Sequence, residues 1–154
     1  MPISPSDIEL RLSGGASNSD VDASLGGAMS SEQVVDNVNN NLFDDVSPSE
    51  ATTGDIEYRG VYAYNAHETL TLLAAKAYVP SNTASADTTV DIAIADEGPG
   101  ETMDTIADES TAPTGVAFSA PSSYGSGLEI GDLGPEEGCG IWVRWTVDAG
   151  TSSD

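Results

Sequence analysis

The sequence predicts an all-β fold: a single antiparallel β-sandwich, immunoglobulin-like or jelly-roll-like, with a long N-terminal segment rich in glycine, serine and asparagine. Three observations lead to this prediction. Short runs alternate apolar and polar residues, which is the period of half-buried strands. Gly, Pro, Ser and Asp separate these runs and mark turns. Helical periodicity is nearly absent, and many short strands favour a sandwich. The length of 154 residues suits one domain with one hydrophobic core.

Residues 1–12 contain the first predicted strand. Its apolar residues are Ile8, Leu10 and Leu12, and they alternate with charged residues in DIELRL. Residues 13–55 form an extended arm or a long loop region, with Leu25, Leu42 and Phe43 as isolated apolar anchors. A connection of this length is uncommon in a compact domain unless it is functional. Two interpretations follow: a surface loop folded over one sheet, or an arm that reaches a neighbouring subunit.

Residues 56–150 form the predicted sandwich core, and residues 151–154 are a polar tail. Two long apolar segments, 56–64 and 69–79, are separated by four mostly polar residues, and this spacing predicts a hairpin. Further strands are predicted in TTVDIAIA, around 115–119 and 128–130, and in IWVRWTV near the C-terminus. Together these segments give seven to nine strands.

The aromatic residues of these strands are candidates for an interface. By the alternation of side chains, Tyr58, Tyr62 and Tyr64 share one face of a strand. Aromatic side chains are enriched at interfaces, although the same three would also serve as sheet core. Trp142 and Trp145 lie on opposite faces, so at most one is fully core. The candidate interface residues are Leu25, Leu42, Phe43, Tyr58, Tyr62, Tyr64 and Trp142.

Charge separates the function classes most strongly. The chain has 26 acidic and 4 basic residues, a net charge of -22. Self-repulsion at this level opposes compaction, and molar salt would screen it, so the composition predicts adaptation to high salt. A disordered acidic tail, a calcium-dependent fold and a nucleic-acid mimic are the alternatives. All four cations, Arg11, Arg59, Lys76 and Arg144, lie inside apolar segments, which argues against disorder. With so few cations, no direct binding to nucleic acid is expected.

The sequence predicts no catalytic residue and no cofactor. His67, the single histidine, falls in a predicted loop without an identifiable nucleophile. Cys139, the single cysteine, cannot form an intramolecular disulfide and is predicted to be a buried strand residue. Asp20 and Asp22 are weak calcium candidates, because the EF-hand pattern counted from Asp20 fails at its sixth and twelfth positions.

The N-terminus lacks the features of a secretory signal, and no apolar stretch is long enough to span a membrane. The sequence therefore predicts a protein made in the cytoplasm, without membrane association.

Several segments taken together resemble small structural proteins encoded by tailed viruses and prophages. They are IELRLSGGASNSDVDASLGGAMSS, LFDDVSPSEATTGDIEYRGVYAYNAHETLTLLAAKAYV, ADTTVDIAIA, STAPTGVAFSAPSSYGSGLEIGDLGP and GIWVRWTVDAG. The resemblance implies a non-enzymatic component of a virion, and the acidity would suit a virus of a halophilic host such as a haloarchaeon. Capsid-surface decoration or a turret subunit is the first expectation, and a tail or baseplate component is the alternative.

On this interpretation the partners are other virion proteins, including further copies of the chain in a homo-oligomer. A hypothesis of another class is a carbohydrate-binding module that recognises a receptor. Such modules present aromatic platforms beside polar side chains.

Overall fold

A computed structural model describes residues 2–34, 42–43, 47–83 and 87–150. The fold is an all-β sandwich, which confirms the predicted fold class. Its strands are β1 (Ile8–Leu12), β2 (Gly26–Gly27), β3 (Asp55–Asn65), β4 (Leu72–Ala77), β5 (Thr88–Pro99), β6 (Met103–Thr105), β7 (Leu128–Leu133) and β8 (Glu137–Val147). One α-helix, α1 (Pro48–Thr53), and three short 3-10 turns complete the described elements.

The strands form one central sheet and two small ribbons. The central sheet has the order β1-β3-β8-β5, and every neighbouring pair in it is antiparallel. β3 and β8 pair along their whole length, from Asp55 opposite Val147 to Asn65 opposite Glu137. β2 pairs with β6, and β4 pairs with β7. The core therefore lies on the two faces of the β3–β8 pair.

Each face of the central sheet has its own cover. On one face, which we call the loop face, Tyr62, Ala93 and Trp142 pack with Met103 and with side chains from the flanking loops. On the other, the ribbon face, the sheet packs against the β4–β7 ribbon through an apolar cluster. The buried members of that cluster are Val61, Ala63, Ile92, Ile130, Leu133, Cys139 and Ile141.

The predicted hairpin between residues 56–64 and 69–79 is wrong. β3 pairs with β1 and β8, whereas β4 pairs with β7 in a different sheet. At the corner, the buried Asn65 side chain donates hydrogen bonds to the carbonyls of Leu70 (2.8 Å), Leu133 (3.1 Å) and Gly134 (3.1 Å). The chain thus leaves the central sheet at Asn65 and crosses to the ribbon. Alternation predicts both strands but does not distinguish a hairpin from such a corner.

Helix α1 was not predicted, although its start signals are present in the sequence. Ser47 accepts a hydrogen bond from the Glu50 amide, and the Glu50 side chain accepts one from the Ser47 amide. This reciprocal capping box is followed by Pro48 in the first turn, where proline is favoured. Gly54, with a φ of +79°, ends the helix.

Residues 13–31 fold over the loop face of their own sheet, and residues 32–34 pair with the outer edge of β1. The hydroxyls of Ser13 and Ser24 both donate to the carbonyl of Gly60, each over 2.6 Å. The Gly60 amide in turn donates to the carbonyl of Ser24 over 2.7 Å. Both serines are fully buried, so these hydrogen bonds fix the loop to the middle of β3.

The extended-arm prediction is therefore wrong for this part of the chain, which is a surface loop. The prediction counted apolar anchors, whereas buried serine hydroxyls and backbone groups hold the loop in place. Leu25, one of the three anchors, is only half-buried. Residues 35–41 and 44–46 of the predicted arm lie outside the described residues.

Candidate functional site

The four basic side chains all make contacts within the described part of the chain. Arg11 Nε lies 2.8 Å from a Glu9 carboxylate oxygen, and Arg144 Nη2 lies 2.8 Å from Asp91. Both guanidinium groups also stack on aromatic rings, at 4.0 Å and 4.7 Å from the ring centroids. Because these contacts occupy the cations, they leave the outer carboxylates largely without counter-charges.

Arg59 is fully buried and connects two loops. Its Nη2 atom lies 2.8 Å from Glu109 and 3.2 Å from Asp22, and its Nη1 atom donates to the Tyr58 carbonyl over 3.1 Å. Its Nε atom has no hydrogen-bond partner in the described structure. A buried charge is costly unless it is paired, so the two carboxylates that reach Arg59 tie their loops to β3.

The two calcium candidates from the sequence serve other contacts. The Asp20 side chain accepts a hydrogen bond from the Asp22 amide and caps the turn Val21–Ala23. The Asp22 carboxylate pairs with Arg59. These two residues do not belong to either of the acidic clusters that the described residues form.

One of those clusters lies at the turn between β5 and β6. Carboxylate oxygens of Asp96, Glu97 and Asp104 come within 4.8 Å of one another. They border a cavity of about 270 Å³ whose floor includes Trp142. Burial raises the pKa of Glu97, and a hydrogen bond that its carboxyl donates to Asp96 and the charges of Asp96 and Asp104 raise it further. Carboxylate oxygens are the ligands that calcium prefers, so this cluster could hold a hard cation.

The second cluster consists of Glu50, Asp55 and Glu57. Burial and a hydrogen bond with Glu50 raise the pKa of Asp55. Hydrogen bonds from Ser47 lower the pKa of Glu50. The hydrogen bonds that Glu50 accepts at the start of α1 and its hydrogen bond with Asp55 therefore account for this cluster.

His67 and Cys139 have structural surroundings. The Nδ1 atom of His67 accepts hydrogen bonds from the amides of Thr69 (3.1 Å) and Leu70 (3.0 Å), which stabilises the turn before β4. Cys139 is fully buried in the ribbon-face cluster, as predicted. Burial, together with the nearby charges of Glu137 and Glu97, raises the pKa of the Cys139 thiol to about 11.

The aromatic residues chosen as interface candidates are core residues, so this prediction is wrong for four of them. Tyr58 and Tyr64 are each 8% exposed, and Tyr62 and Trp142 are each 2% exposed. The Tyr62 hydroxyl donates to the Gly27 carbonyl and accepts from the Met103 amide over 2.8 Å. These contacts hold the β2–β6 ribbon over the loop face and cover the rings.

The other candidates also contact their own domain. Leu42 packs against the ribbon-face cluster, and the Phe43 ring lies 5.3 Å from that of Trp145. Trp145 is half-buried and packs with Val147, whereas Trp142 lies in the loop-face cluster. The two tryptophans thus occupy opposite faces, as predicted.

The exposed apolar side chains identify a surface that the sequence did not. Among the described residues, they are Ile8, Leu10, Ile56, Leu70, Leu73, Tyr78 and Tyr124. All except Ile56 lie in β1, in or within two residues of β4, or, for Tyr124, hydrogen-bonded to β4. Alternation places Ile8 and Leu10 on the ribbon face, yet they remain 41% and 48% exposed.

Between β1 and β4 runs an apolar groove of about 260 Å³. It is lined by the exposed residues Ile8, Leu10 and Tyr78 and by the less exposed Ile130 and Val143. Lys76 of β4 also borders it, with its Nζ atom 4.8 Å from the centroid of the Tyr124 ring. We call this feature the β1–β4 groove, and it is the candidate interaction surface of the molecule.

Comparisons with protein-family models, curated proteins and solved structures find no match to this chain. In the described ranges, no helix has the length and apolar character needed to cross a membrane.

Proposed function

We propose that this chain is a non-enzymatic structural protein of a tailed-virus particle from a halophilic host. The proposed position is the capsid surface, as a decoration or turret subunit, with a tail or baseplate position as the alternative. The virus class comes from the sequence resemblance alone. On this proposal the protein resides in the virion and its partners are other virion subunits, including further copies of itself.

The observation that carries the proposal is the contrast between one apolar side and an otherwise acidic domain. A chain with a net charge of -22 repels other acidic proteins in dilute buffer. Three of its exposed apolar side chains, Ile8, Leu10 and Tyr78, nevertheless line the β1–β4 groove. Apolar patches of this kind mark interaction sites in soluble proteins. In molar salt the Debye length falls to about 3 Å, so such a patch can then engage another acidic subunit.

The carbohydrate-binding hypothesis loses the residues that suggested it. Its aromatic platform would consist of Tyr58, Tyr62 and Tyr64, and all three are buried under the loops of their own chain. We therefore do not propose it further.

The test is the position of the protein in purified particles kept in molar salt. We expect quantitative mass spectrometry to find the chain as a stoichiometric component, and a cryo-EM map to place its sandwich on the outer capsid. Density at the tail or baseplate would select the alternative position. Absence of the chain from purified particles would overturn the proposal.

A further inference from the structure

The cavity of about 270 Å³ beside the β5–β6 turn, which we call the acidic cavity, has three kinds of lining. The charged lining is the cluster of Asp96, Glu97 and Asp104, whose carboxylate oxygens come within 4.8 Å of one another. The third lining is the indole of Trp142. The apolar lining consists of Ile106, Ala107, Ala112 and Pro113.

The Trp142 indole brings a hydrogen-bond donor without a protein partner to this cavity. The residue is 2% exposed and packs in the loop-face cluster, yet its N–H forms no hydrogen bond with any described residue. Among the described residues, the one buried side-chain nitrogen or oxygen that is both unpaired and sealed from solvent is Arg59 Nε. The Trp142 N–H is therefore not sealed, and the acidic cavity is the space that its side chain lines. A buried indole N–H usually has an acceptor.

Together these linings select a ligand that is cationic at one atom and has a hydrogen-bond acceptor beside it. Carboxylates in contact repel one another, and a cation among them removes that repulsion. A metal ion would not use the rest of the cavity, because an indole N–H cannot coordinate it and calcium takes six to eight oxygen ligands. Guanidinium and lysine ammonium groups have no acceptor of their own. An ammonium group next to a carbonyl has both, and this is the chemistry of the first residue of a polypeptide.

We propose that the acidic cavity binds the free amino terminus of a polypeptide. The α-ammonium group donates to the three carboxylates of the cluster, and the first carbonyl oxygen accepts from the Trp142 N–H. The first side chain packs on the apolar lining. The inference does not depend on the proposed virion function, because any chain with an accessible, unmodified amino terminus supplies this chemistry.

The first test follows the Trp142 indole proton by NMR in the full chain at pH 6.5 in 2 M KCl, with Trp145→Phe used to assign the two indole signals. The probe is alanyl-alaninamide, whose amino terminus is its only charge, and the matched control is its neutral N-acetyl form. We expect the probe to move the Trp142 signal downfield. It should bind about three- to tenfold more tightly than the control, between the effects of an exposed ion pair and a buried charged hydrogen bond. No shift of this signal, or equal binding of the two peptides, would overturn the inference.

A change of pH separates the amino terminus from other cations. The ordinary pKa of an α-amino group is about 7.7–8.0, whereas that of a lysine side chain is about 10.4. Affinity for alanyl-alaninamide should therefore fall about sixfold from pH 8 to pH 9, while the weaker binding of N-acetyl-lysinamide should stay constant. Tighter binding of N-acetyl-lysinamide would assign the cavity to lysine side chains. Tighter binding of calcium, with the indole signal unmoved, would assign the carboxylates to a metal ion, and either result would contradict the inference.

Variants test the two polar linings separately. Asp104→Asn removes an exposed carboxylate of the cluster, and Glu32→Gln removes an exposed carboxylate outside it. We expect the first to weaken binding of alanyl-alaninamide about three- to tenfold and the second to leave it unchanged, with native amide spectra as the check on folding. Equal binding by these two variants would exclude the cluster as the site.

Trp142→Phe keeps an aromatic ring but removes the N–H. We expect it to weaken binding of alanyl-alaninamide and to leave that of methylammonium unchanged, because methylammonium has the charge without the carbonyl. Equal weakening of both ligands would mean that the indole only packs, and the proposed contact with the carbonyl would be wrong. If Trp142→Phe does not fold, the comparison of Asp104→Asn with Glu32→Gln and the indole shift of the wild type decide the inference.

Discussion

The loop face and the ribbon face of one sheet are covered in different ways. The loop face is closed by irregular chain, which uses buried polar groups such as Ser13 and Ser24 to satisfy the backbone of β3. The ribbon face is covered by two regular strands that pack through apolar side chains. The first cover buries Tyr62 and Trp142 almost completely, whereas the second leaves Ile8 and Leu10 nearly half exposed.

Strand spacing explains this difference. Neighbouring strands lie about 4.8 Å apart, so a two-stranded ribbon spans about a third of the width between the outer strands of a four-stranded sheet. The β4–β7 ribbon packs chiefly over β5 and β8, and β1 is left beyond its reach. A loop has no fixed width and can follow the whole sheet. Regular packing therefore leaves the groove, and irregular packing closes the other face.

The largest expected loss of stability comes from removing a buried apolar side chain of the ribbon-face cluster. Leu133 is 1% exposed in the ribbon-face cluster, so Leu133→Ala should lower the free energy of unfolding by about 2–5 kcal/mol. Urea unfolding in 2 M KCl measures this change. Leu73→Ala, in the partner strand β4 but exposed, should stay within about 0.5 kcal/mol of wild type. A loss below about 1 kcal/mol for Leu133→Ala would mean that the ribbon does not anchor this face.

The buried serine hydroxyls of the loop face should contribute less to the free energy of unfolding. Their loss should affect the loop more than the sheet. Ser24→Ala removes the hydroxyl that donates to the Gly60 carbonyl and accepts from the Ser13 amide. A buried group left without its partner costs about 1–3 kcal/mol. We expect faster proteolysis within residues 13–31 while the sheet remains folded.

The matched control for this loop is Ser31→Ala, whose hydroxyl bonds the Ala16 carbonyl at an exposed position. It should leave both the stability and the rate of proteolysis close to those of the wild type. If Ser24→Ala behaved like Ser31→Ala, the buried serine hydroxyls would not be what holds the loop face closed.

The same comparison shows what the sequence could predict. Alternation predicts β1, β3, β5 and β8, because a half-buried strand leaves a two-residue period. Alternation does not show which strands the covering elements contact. It therefore cannot predict that Tyr62 is buried and that Leu10 is exposed. The sequence does not predict how the loop packs. Ser13 and Ser24 both donate to the Gly60 carbonyl of β3, but they are eleven residues apart and form no local pattern. The acidic cluster of Asp96, Glu97 and Asp104 was visible only as scattered acids until the β5–β6 turn joined them.

That acidic cluster gives the third prediction, a salt-dependent effect confined to the loop face. Asp104→Asn should raise the melting temperature in dilute buffer by about 1–2 °C, because it relieves repulsion with Asp96 and Glu97. The gain should disappear in 2 M KCl, where these charges are screened. Glu32→Gln, which removes an exposed charge outside the cluster, is the control and should change the melting temperature less.

Calcium provides the opposing outcome for this cluster. If millimolar calcium in dilute buffer stabilised the wild type as much as molar salt does, and failed to stabilise Asp104→Asn, the cluster would be a cation site. Calcium binding, rather than repulsion among free carboxylates, would then determine how this cluster affects stability.

A pH-dependent effect tests whether solvent entering the groove reaches the ribbon-face core. Burial and nearby carboxylates raise the pKa of the Cys139 thiol from 9.0 to about 11. Between these values the unfolded chain holds fewer protons than the folded one, so the thiol's contribution to stability is present below pH 9 and is lost as the pH rises towards 11. Unfolding free energies from urea titrations at pH 8 to 11 should therefore fall more steeply for wild type than for Cys139→Ala. Parallel pH profiles would show that the thiol titrates normally, and that the ribbon face is open to solvent from the β1–β4 groove down to β8.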